Sequence, residues 1–163
     1  MNSEEQNHNE MKKGNYTKFV AMLAASFIAM YMTMYLNTYQ IDHVYFSLTR
    51  FYMSCLGIAT MAIIMFVAMR NMYTNKKKNI AIVLGSIALF GTALGLVRAQ
   101  APIVGDVLWM KAMIPHHSIA ILTSGRADIQ DPEVKKLAND IIKAQKREIE
   151  EMKAMIQRLE NEK

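Results

Sequence analysis

Three runs of 18 or 19 residues without a charge, Phe19–Leu36, Phe51–Met69 and Ile80–Val97, dominate the first hundred positions. At about 1.5 Å of helical rise per residue, each is long enough for a hydrocarbon layer of roughly 30 Å. The pattern predicts three transmembrane helices, over 19–36, 51–69 and 79–99. The period then changes. Ile103, Val107, Met110, Ile114, His117 and Ile121 recur at spacings of four and three, the stripe of an amphipathic helix over 103–124. Val134, Leu137, Ala138, Ile141, Gln145, Ile149, Met152, Ile156 and Leu159 trace a second stripe over 132–160, with lysines, arginines and glutamates on the remaining surface. Gly125 is the expected stop of the first of these helices, and Asp131-Pro132-Glu133 supplies a cap, a first-turn proline and an acid for the second. The fold class is therefore an all-α membrane protein: three transmembrane helices followed by an antiparallel helical hairpin.

Residues 1–17 are polar and aperiodic and read as a disordered cytoplasmic tail; 18–101 form the membrane region and 102–163 the hairpin. The formal charge of +5 divides unevenly, with eight Lys or Arg against four acids in residues 1–97 and eleven against ten in 98–163. Lys12, Lys13 and Lys18 precede the first span, Arg70, Lys76, Lys77 and Lys78 separate the second from the third, and the 37–50 loop holds only Arg50. This is the asymmetry that places the N-terminus inside and residues 98–163 outside the cytoplasm. It is membrane topology and no surface for nucleic acid. The first span lacks a small-residue cleavage site and reads as a retained anchor; Ala99-Gln100-Ala101 resembles such a site but reads as internal. Cys55 stands alone within a span, a small side chain with no partner for an intrachain disulfide.

In the third span Ala81, Gly85, Ala88, Thr92, Gly95 and Ala99 form a small-residue stripe, and Gly91 with Gly95 makes a G-x-x-x-G pair. Packing against the other spans of the chain is favoured over a dimer seam. Two helices alone cannot enclose a substantial core, so the hairpin is expected to dimerise into a four-helix bundle, with lipid headgroups or the 37–50 loop as alternative partners.

The candidate chemistry lies in Met110-Lys-Ala-Met-Ile-Pro-His-His117, which gathers two thioethers and two imidazoles within little more than two helical turns. That donor mix suits cuprous copper better than hard cations and needs no thiolate. At about 100° per residue, His117 falls beside Met110, Met113 and Asp106, while His116 falls with Trp109 and Ala120 and approaches Met113. Pro115 is expected to bend the helix. Equally, His117 on the apolar seam reads as a hydrogen-bonded core histidine, with Met110 and Met113 filling space. Both readings stand at this point. Met34, Met53 and His43 beside Asp42 form a weaker candidate cluster; the remaining stripes among the fifteen methionines, such as Met61, Met65, Met69 and Met72, read as membrane packing.

The segment 106–152 resembles the bacterial family catalogued as domain of unknown function 305, in the branch with three preceding spans. The resemblance rests on Asp106, Met113-Ile-Pro-His-His117, Ala120-Ile121, Asp131-Pro-Glu-Val134, Leu137-Ala138, Ile141-Ile142, Ala144-Gln145, Glu148-Ile149 and Met152. It implies a ferritin-like helical fold, copper binding and copper resistance, with Gln145, Glu148 and Met152 as companion ligands. Thr123 stands where many members carry a further methionine.

A hairpin turning near Asp128 would set His117 level with about residue 139, and Met152 roughly 18 Å further along. On that register, Met152 approaches Asp106 and Met110; one site using both His117 and Met152 requires a second subunit, or else there are two separate sites. Di-iron chemistry needs inward glutamates that the first hairpin helix lacks, and the only literal Glu-x-x-His, Glu5 to His8, lies in the polar tail. No Cys-x-x-Cys-His haem motif, nucleophile–base pair or phosphate loop occurs. The expectation is a non-enzyme: a membrane-anchored, extracytoplasmic copper-binding protein using Cu(I), a homodimer working beside copper transport or resistance proteins. The rival is a metal-free interaction module whose hairpin docks a partner.

Overall fold

The computed structural model describes residues 3–100 and 103–162, and side chains from residue 15 onward. Ala101, in the cleavage-like triplet, and Pro102, before the predicted hairpin, lie outside the described residues, as do the side chains of Glu5, His8, Lys12 and Lys13. The described residues form five α-helices and no strand: α1 (Ser3–Thr33), α2 (Leu48–Ala68), α3 (Lys76–Ala99), α4 (Asp106–Arg126) and α5 (Pro132–Asn161). Two 3₁₀ turns, Ile41–His43 and Arg70–Met72, lie in the connections. The chain divides into two compact units, one of residues 1–31 and 51–99, the other of residues 32–50 and 100–163.

The first unit holds α1 to α3, whose apolar portions Asn15–Thr33, Leu48–Ala68 and Lys76–Ala99 are long and apolar enough to cross a membrane. Within an 18-residue apolar window of each, only 11%, 28% and 11% is buried, so the apolar side chains are mostly left for a surrounding apolar medium. Helix α1 runs back to Ser3, through the stretch read as a disordered tail. Residues 3–13 contain neither proline nor glycine, and extending a helix already formed costs far less than starting one. One cluster joins the three helices at one end. Tyr16, Phe19, Ala62 and Tyr73 are buried there, and the Tyr16 hydroxyl donates to Asn79 Oδ1 at 2.7 Å while accepting from the Asn75 N–H at 3.1 Å.

At Gly57 of α2 the Met30 side chain of α1 packs where a Cβ would be: an added Cβ would stand 2.6 Å from Met30 Sδ. The α3 stripe behaves otherwise. An added Cβ on Gly91 or Gly95 would meet nothing within 4 Å, so the expected intrachain packing of the G-x-x-x-G pair is not found among the described residues. Ser86 and Ala93 are the buried positions of α3 instead.

In the second unit α4 and α5 form the hairpin. Helix α4 starts at Asp106, three residues after the expected start, and runs through the buried Pro115 without interruption. It also runs past Gly125 to Arg126: no glycine has a positive φ, and the chain leaves the helix at Ala127 in an extended conformation. Asp131 caps α5, accepting at 2.9 Å from the backbone N–H of Glu133 and of Val134, with Pro132 in the first turn.

Three contacts fix the register of the hairpin. Lys111 Nζ donates to Glu160 Oε1 at 2.6 Å, His117 Nε2 lies 2.8 Å from Glu148 Oε2, and Gly125 faces Ile142. His117 is therefore level with residue 148 and not with 139. The sequence estimate assumed a symmetric turn, whereas the first turns of α5 extend past the end of α4, leaving Val134 and Leu137 exposed. The core between the helices comprises Met110, Ile114, Ile121, Ile149, Met152 and Ile156, with Tyr45, Val107, Met113, Ile142 and Leu159 packed on it. Each such buried side chain contributes about 1.5–3 kcal/mol.

Segment 32–50 completes this unit, as one of the alternatives to dimerisation anticipated. Tyr45 packs on the hairpin core, the Tyr39 N–H donates to Ser118 Oγ at 2.7 Å, and Lys153 Nζ donates to Asp42 Oδ2 at 2.7 Å.

Candidate metal-binding site

Helix geometry sends the two adjacent imidazoles in different directions. Their ring centroids are 6.3 Å apart with planes at 67°. His117, largely buried, turns toward α5: its Nδ1 lies 3.0 Å from the Met113 carbonyl and its Nε2 2.8 Å from Glu148 Oε2. Both ring nitrogens therefore lie within hydrogen-bond distance of protein oxygens, one on the helix's own backbone and one on α5. His117 thus ties α4 to α5. The two imidazoles thus face different surroundings.

His116 is exposed and makes no hydrogen bond among the described residues. It opens into a cleft of about 470 Å³ lined also by Met34, Arg50, Trp109 and Met113. Trp109, Met113 and His116 stand at spacings of four and three, on one face of α4, and Met34 comes from the chain just after α1. Two thioethers and an unengaged imidazole therefore line one accessible space, a donor set that fits a soft, low-coordinate cation. Its lining also includes the uncharged polar residues Asn37, Ser47, Thr49 and Gln100. The Arg50 guanidinium donates to the Met34 carbonyl and lies 4.3 Å from the Tyr35 ring centroid.

The other predicted ligands are placed differently. Met110 and Met152 are 3% and 5% exposed within the aliphatic core and serve there as packing. Met152 stands one turn beyond Glu148, so the corrected register brings it near the level of His117 within a single chain. Asp106 is an exposed first-turn acid of α4, favourable at that helix end. Gln145 is half-buried and makes no hydrogen bond among the described residues. Met53 belongs to the first unit, on α2.

His43 lines a different cavity from Met34. It is 4% exposed, and its Nδ1 lies 2.9 Å from Ser118 Oγ, with Asp42 Oδ1 3.9 Å from Nε2. Burial holds the His43 imidazole below its usual range, partly offset by the Asp42 carboxylate. The His43 ring is thus hydrogen-bonded to the Ser118 hydroxyl, whose oxygen also accepts from the Tyr39 N–H. Asp42 is held below the usual carboxylate range by its hydrogen bond from Lys153. Ser118, completely buried, is a residue the sequence reading did not single out; its place on the α4 seam beside His117 was the available signal. Among the described residues, no group of three or more His, Cys, Asp or Glu side chains could hold a metal ion.

Residues 99–163 match the family described as a domain of unknown function, DUF305, which covers α4, the turn and α5. An uncharacterized protein of Acanthamoeba polyphaga mimivirus is 33% identical over 145 residues, covering 87% of this chain and 93% of that protein. A match of that length reaches well beyond the hairpin into the three apolar helices. No solved structure matches. The chain accordingly belongs to one family with that viral protein, and its C-terminal hairpin is a DUF305 domain.

Proposed function

We propose that this protein is a membrane-anchored binder of cuprous copper, with the metal held by Met113 and His116 of α4 and by Met34. The observation that carries this reading is the unengaged His116 imidazole opening into the cleft that Met34 and Met113 also line. Copper, when bound, supplies a soft cation that thioethers hold without deprotonation. The protein's part is binding and retention in copper handling or resistance, with no catalysed reaction. The three apolar helices anchor the chain in a cell membrane, bacterial on the family resemblance, with the N-terminus in the cytoplasm and the hairpin outside. Three crossings bring segment 37–50 and the hairpin out on the same face, in keeping with their shared unit. The overhanging Val134 and Leu137, both exposed, would be covered by a second copy, and copper transport or resistance proteins are the expected partners.

The test is competition for Cu(I) between a cuprous chelator and the full-length protein in detergent. Replacing Met113 and His116 together by Ala lowers affinity about a hundredfold or more, while His117→Ala changes it only a few-fold. Unchanged affinity in the double variant overturns the reading. A metal-free docking module is favoured by one observation, the full engagement of His117 by Met113 and Glu148, and it is what remains if the wild type binds no copper.

A further inference from the structure

We propose that Trp109 and Arg50 make the cleft selective for a soft monovalent cation: the Trp109 indole face is a direct partner of the bound ion, and the Arg50 charge disfavours divalent ions. This rests on the copper reading of the same cleft and deepens it. Trp109 is 50% exposed although it is the largest apolar side chain of α4, and it lines the cleft on the helix face that carries Met113 and His116. An indole is the side chain best suited to attract a cation over its face, and it does so without a formal charge. Met34, Met113, His116 and Trp109 together offer sulfur, one nitrogen and a π-face.

The charges lining the cleft point the same way. None of its twelve lining residues is acidic, and one, Arg50, is permanently positive. Repulsion scales with the charge of the incoming ion, so a divalent cation is opposed twice as strongly by Arg50 as a monovalent one. Divalent ions ordinarily offset such a cost with carboxylate ligands, and the cleft supplies none. Arg50 is held in place by the Met34 carbonyl and the Tyr35 ring, which fixes its charge beside the donors.

Trp109 is the chain's only tryptophan, so its fluorescence reports on this cleft alone. Full-length protein in detergent is titrated with Ag⁺, a redox-inert monovalent soft ion, and separately with Zn²⁺. The expected result is quenching by Ag⁺ that saturates at one equivalent, undisturbed by a large excess of Zn²⁺. In competition with a chelator, Trp109→Ala binds Ag⁺ about tenfold more weakly and Trp109→Phe falls between, the latter keeping a packed aromatic ring in place. Arg50→Gln lets Zn²⁺ compete, whereas Arg50→Lys, which keeps the charge, does not. Fluorescence that stays constant while the chelator shows Ag⁺ bound, or full affinity in Trp109→Ala, removes the indole from the site and leaves the copper reading intact. Zn²⁺ that competes equally in the wild type overturns the role of Arg50. Wild-type protein that takes no Ag⁺ from the chelator overturns the copper reading itself.

Discussion

The two units of this chain solve the burial of apolar side chains in opposite ways. In the three-helix unit the side chains are apolar nearly all round and mostly exposed, as Val20, Ile28, Ile64 and Leu84 illustrate. In the hairpin unit one narrow stripe is apolar and buried, with Ile114 and Ile149 almost inaccessible. The difference shows where the chain has to be specific. An apolar medium accepts any apolar side chain, whereas the two-helix hairpin depends on a few buried positions and has little spare core in which polar groups can be accommodated. Polar chemistry therefore sits at the edges of the hairpin core, where His43, His117 and His116 occupy three distinct surroundings.

The sharpest way to break this comparison is truncation within the hairpin core. Ile114→Ala is expected to cost about 2–5 kcal/mol of hairpin stability, read from denaturant unfolding in detergent. Ile64→Ala, on an outward face of α2, is expected to shift stability by no more than about 0.5 kcal/mol. Equal losses at the two positions would erase the contrast. Within the three-helix unit, Gly57→Leu is expected to cost about 1–3 kcal/mol by overpacking against Met30, while Gly91→Ala and Gly95→Ala are neutral in the monomer.

Acid sharpens the comparison further, because both groups with a site-specific shift in segment 32–50 are tied to the hairpin. The folded state holds His43 below its ordinary value of 6.5, so the unfolded chain takes up the proton first. Stability is complete above about pH 6.5 and falls as the pH drops from there to the folded value, then levels off. Asp42, shifted below 3.8, adds a second loss only at lower pH. Unfolding curves between pH 8 and pH 5 should show the first loss in the wild type and a smaller one in His43→Gln; identical slopes would detach His43 from the hairpin. A smaller effect is expected at Glu148→Gln, about 1 kcal/mol, because Glu148 is partly solvated. The smallest is Glu160→Gln at the surface pair with Lys111, under about 1 kcal/mol and weakening with salt.

Much of this architecture is legible along the chain because hydropathy and helix period act locally. The three apolar helices follow from uncharged length, and the start of α5 from Asp131 and Pro132. The divergence of His116 from His117 is legible too, since neighbours on a helix point about 100° apart. The hairpin register is not, because caps fix where α5 begins but not how far it overhangs α4, and an error of nine residues separated Met152 from His117. Long-range partners are equally hidden: nothing local tells that Met34 shares a cleft with Met113, or that Ser118 is the partner of His43. The G-x-x-x-G pair shows a motif whose meaning depends on which neighbour arrives, and among the described residues none does at Gly91 and Gly95.

The central claim is tested most directly by X-ray absorption at the copper edge of the full-length protein loaded with one equivalent of Cu(I). The account predicts a low-coordinate first shell containing both sulfur and imidazole nitrogen, with the sulfur contribution reduced in Met113→Ala. A shell of nitrogen and oxygen alone, unchanged by that substitution, would contradict it.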